Sequence, residues 1–121
     1  MRLFVFAIIT SLALFSACNK AGSGGKAYIN VHVVNDNVQA EYSLVNLKYG
    51  ATGFPGAGAS WNEKDTADHA GKTTFSGLRK GSYYVYVEYN DNGTLMQGGA
   101  TVKITNRIGE QHVVIDVSEG L

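Results

Sequence analysis

The side chains in this sequence best suited to holding a ligand are aromatic. Tyr84 and Tyr86 stand two residues apart in a strand-like run, with Trp61 and Phe54 upstream. Such rings offer flat apolar faces with a polar edge, which suits a sugar ring or a protein surface. The same spacing also fits ordinary cross-strand packing. His32, His69 and His112 are the only histidines, and none has the close pair spacing of a zinc site. If the first and last strands run side by side, His32 and His112 meet, both on the face opposite the core and solvated. Asn62, Asp65 and Asp68 carry oxygens, but the regular alternation and terminal glutamate of a hand-type calcium loop are missing, so they are expected to be turn residues. No serine lies in a nucleophile-elbow glycine pattern. No catalytic residue, metal ligand or cofactor is assigned, and the residues point to binding rather than turnover.

Those aromatic residues must be positioned by strands. From Gly71 to Tyr89 the chain reads GKTTFSGLRKGSYYVYVEY, a hairpin-like unit. Thr73, Phe75 and Leu78 share one side, and Tyr83, Val85, Val87 and Tyr89 alternate with Ser82, Tyr84, Tyr86 and Glu88. If the valines face the core, Tyr84 and Tyr86 stand on the far side of the central strand. Upstream, Ile29, Val31 and Val33 alternate with Tyr28, Asn30 and His32 and are expected to be core. Over Tyr42–Tyr49 the more apolar set is Ser43, Val45, Leu47 and Tyr49. Gly50–Gly58, with the only proline, Pro55, is a loop in which Phe54 is the one large apolar group. A short strand over Ala59–Glu63 carries Trp61. Downstream, Asn90–Gly93 is a hairpin turn, Gly98 and Gly99 suggest a bulge, and Val113, Ile115 and Val117 end the chain in alternation.

The N-terminus is of another kind. Met1 and Arg2 precede an apolar run, Leu3–Phe15, broken only by Thr10 and Ser11. A membrane-spanning helix needs about 20 apolar residues, so this run has the length of an export signal. Ser16 and Ala17 before the sole cysteine, Cys18, resemble the lipobox of bacterial lipoproteins, with Phe15 where that family prefers leucine. The resemblance implies that residues 1–17 are removed and that Cys18 becomes the lipidated first residue, a membrane-lipid anchor in the bacterial cell envelope, at the outer membrane on its periplasmic face. Residues 18–26 then form a Gly/Ser tether and residues 27–121 the folded domain. A lipidated Cys18 leaves no disulfide, so stability must come from the core. Net charge is zero, from ten basic and ten acidic residues without a long run of one sign, which speaks against nucleic acid or an anionic membrane surface as partner. Fifteen glycines, seven tyrosines and one proline suit an all-β protein with tight turns.

The pattern Gly71, Phe75, Leu78, Gly81, Tyr83, Val85, Val87 resembles the carboxypeptidase regulatory-like, or transthyretin-like, domains, with Thr66 and Asp68 loosely matching a "T, D" pair before the first glycine. The resemblance implies a seven-stranded antiparallel β-sandwich (prealbumin-like) and no particular activity. The related hydroxyisourate hydrolases end in a Tyr-Arg-Gly-Ser motif, whereas this chain ends Ser118, Glu119, Gly120, Leu121. The isopeptide-bonded repeats of surface adhesins would need Lys26, Asp116 in place of asparagine, and Glu88 or Glu41 as acid. The expectation is a lipid-anchored binding or structural module with a protein or glycan partner, or alternatively a carbohydrate-binding surface lipoprotein of a glycan-uptake system.

Overall fold

A computed structural model describes residues 20–56 and 58–119; the leader 1–17 and Cys18 lie outside the described residues. The described residues form nine strands in two sheets: β1 (Ser23–Asn35), β2 (Val38–Gln39), β3 (Leu44–Tyr49), β4 (Glu63–Thr66), β5 (Lys72–Leu78), β6 (Gly81–Asp91), β7 (Thr94–Ile104), β8 (Glu110–Asp116) and β9 (Ser118–Glu119). In the first sheet β1 is central, pairing antiparallel with β2 and β5 and parallel with β8. The second has the order β4-β3-β6-β7-β9, antiparallel throughout. The all-β sandwich is as expected, but nine strands replace seven because β2 and β9, two residues each, extend the sheets. One pair is parallel rather than antiparallel.

The alternation in the sequence places the core. Ile29, Val31 and Val33 of β1, Phe75 and Leu78 of β5 and Ile115 of β8 meet Val45 and Leu47 of β3, Tyr83, Val85 and Val87 of β6 and Val102 and Ile104 of β7, all buried between the layers. Period-two patterning sends every second side chain into this slab.

Gly71–Tyr89 is not a hairpin. β5 pairs with β1 in one sheet and β6 with β3 and β7 in the other, so Arg79 and Lys80 carry the chain between layers. Gly77, at φ 68°, lies where the β1–β5 register slips and turns the strand end toward the opposite sheet. Alternation fixes which side chains face inward but cannot distinguish a partner in the same sheet from one in the facing sheet.

Three smaller expectations also change. β7 runs past Gly98 and Gly99 with unbroken register to β6, so there is no bulge. Gly98 is glycine because Ile115 Cγ2 would lie 2.8 Å from an added Cβ. The strand expected at Ala59–Glu63 starts at Glu63, leaving Trp61 in the loop. Tyr42 is a turn residue at φ 58°, ahead of β3.

Residues 22–26, expected to lie in the flexible segment 18–26, are instead fastened to the fold, and β1 already begins at Ser23. Gly22 N–H donates to Tyr83 Oη at 2.9 Å, Tyr83 Oη donates to the Arg79 carbonyl at 2.6 Å, and Arg79 N–H donates to the Gly22 carbonyl at 2.8 Å. Burial of side chains is not what holds this segment. Backbone bonding does, and glycine permits the approach: a Cβ on Gly25 would lie 2.0 Å from the Leu78 carbonyl oxygen.

Candidate aromatic binding face

The outer face of the second sheet is built around β6. Tyr84 and Tyr86 project from it, away from the core, between β3 and β7. Tyr84 pairs with Thr101 and Tyr86 with Gly99, and the Tyr84 ring leans across Gly99, where an added Cβ would lie 2.2 Å from its hydroxyl. An aromatic laid over a neighbouring strand's glycine covers backbone that would otherwise be exposed. Asn46 of β3, also buried, donates from Nδ2 to the Tyr86 carbonyl at 3.3 Å.

The loop between β3 and β4 folds back onto this face. Thr101 Oγ1 donates to the Thr52 carbonyl at 2.9 Å, Lys48 Nζ to the Ser60 carbonyl at 2.7 Å, and Tyr49 N–H to Asn62 Oδ1 at 2.8 Å. Gly50 and Gly56, with φ of 74° and 108°, give the turns that bring it round. Phe54 thereby sits 5.0 Å from the Tyr86 ring and 6.2 Å from Tyr84, centroid to centroid. Trp61 stacks on Tyr86 at 5.4 Å and 11°, and lies 6.5 Å from Phe54.

All four aromatic residues singled out in the sequence therefore form one cluster, with roles different from those expected. Tyr84 and Tyr86 are not an exposed platform: they retain 9% and 6% of their accessible surface, while Phe54 retains 46%. The tyrosines are the floor and Phe54 with Trp61 the outer layer, because the loop has no other apolar surface on which to bury its two large rings. Burial raises both tyrosine pKa values, with Glu88 and Tyr84 adding to the effect at Tyr86. Gly99 and Asn46 were missed as part of this face, and the glycine pair was the available signal.

The histidines lie elsewhere. His32 and His112 occupy adjacent strands on the outer face of the first sheet, in a shallow depression of about 360 Å³ shared with Asn30, Lys72, Thr74 and Val114. His112 Nε2 contacts Glu110, which also accepts from Tyr28 Oη at 2.8 Å and Asn30 Nδ2 at 2.9 Å. These contacts hold the Glu110 carboxyl below the usual range, the Tyr28 hydrogen bond foremost. His32 is half-buried rather than freely solvated as expected: its Nε2 is enclosed and has no hydrogen-bond partner among the described residues. His69 is exposed in the β4–β5 connection.

Of the acidic residues expected in turns, Asp68 does lie in the β4–β5 connection, whereas Asp65 belongs to β4, where it pairs with Val45; both carboxylates are engaged by nearby groups. Asp68 Oδ1 accepts from Ala70 N–H and Lys72 N–H, each at 2.9 Å, and the Lys72 bond is the foremost cause of its lowered pKa. Asp65 accepts from Thr66 N–H at 2.9 Å and from the Thr73 hydroxyl. Among the described residues no cluster of His, Cys, Asp and Glu could hold a metal ion, and no helix is long and apolar enough to cross a membrane.

No known protein family and no curated protein matches the chain. Solved structures do match in fold. One is a candidate carbohydrate binding protein from Pseudomonas aeruginosa, at TM-score 0.51 and 13% identity, covering 79% of this chain and 91% of that one. Another is (S)-allantoin synthase, at TM-score 0.52 and 14% identity, covering 91% of this chain and 48% of that one. The likeness is one of fold. A two-sheet β framework shared by a protein named for binding and an enzyme leaves function to the side chains each carries.

Proposed function

We propose that this chain is a non-enzymatic binding module of the bacterial cell envelope, of transthyretin-like type, anchored through lipid on Cys18 and presenting the Phe54–Trp61 surface to a glycan. The observation that carries the glycan assignment is the layered cluster itself. An apolar ring exposed to about half its area is held in fixed orientation by rings beneath it, an arrangement suited to stacking on a sugar face. The carbohydrate-binding designation of the Pseudomonas aeruginosa structure is compatible with this reading.

Retention on polysaccharide tests it, with Phe54→Ala and Trp61→Ala as variants. Both are expected to lose retention while still melting cooperatively, and unchanged retention would remove the glycan assignment. Tyr86→Ala is the poorer probe, because truncating a buried ring costs about 3–5 kcal/mol and confounds binding with folding.

The anchor has its own test. Metabolic labelling with palmitate is expected to mark the wild-type chain and to be absent from Cys18→Ala. A wild-type product that stays unlabelled and in the aqueous phase would refute lipidation.

A further inference from the structure

Zero net charge conceals a strong separation. Strand direction assigns every turn to one of two poles. The chain enters at the pole formed by Ala21–Gly24, the β5–β6 connection at Arg79–Lys80, the start of the β3–β4 loop and the β7–β8 loop at 105–109. Lys20, Lys26, Arg79, Lys80, Lys103 and Arg107 are all exposed there. The acids of that half, Glu63 and Glu110, are engaged by Tyr49 Oη and by Tyr28, Asn30 and His112. The opposite pole carries Asp36, Glu41, Asp68, Asp91, Asp116 and Glu119, with Lys72 as the basic residue closest to it. Ile108, 73% exposed, projects beside Arg107 in the basic pole.

We infer that the basic pole docks on an anionic phospholipid surface, with Arg79, Lys80 and Arg107 at the headgroups and Ile108 as an apolar tip. Charge complementarity argues for it, and so does the route of the chain. Residues 1–19, with the apolar run Leu3–Phe15 and Cys18, join the domain at this pole, and Gly22 is pinned there by Tyr83 and Arg79. Only a few residues separate Cys18 from the pinned segment, so a membrane attachment before Gly22 holds the basic pole within reach of the surface and the acidic pole away from it. Anionic headgroups then draw the basic pole into contact. Each basic residue near an anionic leaflet strengthens attraction by about fivefold, within a Debye length of about 8 Å at physiological salt. The aromatic face, on the flank of the second sheet, then runs parallel to the membrane normal and looks sideways, open to ligand.

The test is amide hydrogen exchange of the full chain on vesicles of phosphatidylcholine alone and of phosphatidylcholine with about one part in four phosphatidylglycerol. Extra protection of residues 105–109 is expected on the anionic vesicles only, suppressed by high salt, with the Asn92–Gly93 turn unchanged. Lys80→Glu and Arg107→Glu are each expected to weaken the anionic-lipid dependence by at least about fivefold. Equal protection on both compositions, or protection at the Asn92–Gly93 turn, would overturn the inference. Equally strong protection by a soluble polyanion would overturn the assignment to lipid. The inference rests on the proposed membrane attachment but not on its chemistry: the comparison between lipids is unaffected by whether Cys18 lipid or the apolar leader holds the chain, which palmitate labelling tests separately.

Discussion

Tyrosine chemistry dominates at the residue scale. Tyr83 lies fully within the sandwich, packs edge-on against Tyr49 at 5.9 Å and 86°, and uses its hydroxyl to tie Gly22 to Arg79. Burial raises its pKa against the lowering effect of those backbone bonds. Tyr49 donates to Glu63 Oε2 at 2.7 Å, and its pKa is pushed up to about 12, first by burial and then by that carboxylate. The direction of linkage follows: a raised folded pKa favours the neutral phenol, so the stabilisation is complete below the unfolded value of about 10 and is lost as pH rises toward about 12. Melting temperature is therefore expected to fall between about pH 10 and about pH 12, with tyrosinate absorbance from Tyr49 appearing only late in that range. Tyr49→Phe should flatten part of the fall, and an identical pH profile in that variant would show that Tyr49 is not responsible. The four platform residues were legible as residue types, but their exposure was not. Alternation places Tyr84 and Tyr86 away from the core, and nothing in a period of two reveals that a distant loop will cover them.

Among the elements, the β3–β4 loop is the one whose fold decides the candidate site. It contributes little to the core between the sheets, whose members lie on the strands and on the segments flanking β2, β4 and β8. Replacing residues 51–60 by a short Asn-Gly turn is therefore expected to leave the β-sheet circular dichroism intact. It should lower the melting temperature by several degrees, since about 1 kcal/mol corresponds to roughly 4–8 °C in a domain of this size. It should also bring the ionisation of Tyr84 and Tyr86 back toward ordinary values and abolish polysaccharide retention. Loss of the sheet signal would mean that the loop is part of the folding unit. Most strands could be placed from the sequence because each carries its own alternation, and the Asn92–Gly93 turn because both residues adopt positive φ at little cost. The supposed Gly71–Tyr89 hairpin failed for the opposite reason. Two consecutive strands with a two-residue connection look alike in sequence whether they pair or part, and the sheet each joins depends on β1, β3 and β7, far away along the chain.

For the whole molecule, the buried set is almost entirely apolar, with Ser43 and Asn46 as the buried polar residues among those described. Ser43 donates to the Ala40 carbonyl at 2.7 Å, and Asn46 to that of Tyr86. A core of this kind needs neither crosslink nor ion, so melting is expected to be unchanged by a chelator or a thiol reductant. A shift of more than a degree or two with chelator would point to a bound metal. The amino-acid sequence by itself determined the all-β class, the inward-facing residues and the aromatic residue types, because these follow from local periodicity and side-chain chemistry. Only the tertiary structure decided that β8 runs parallel to β1, that Phe54 and Trp61 roof over Tyr84 and Tyr86, and that a chain of zero net charge has one basic and one acidic pole. Those features depend on which distant segments come together and on which end of the sandwich each turn occupies, and total charge and alternation are blind to both.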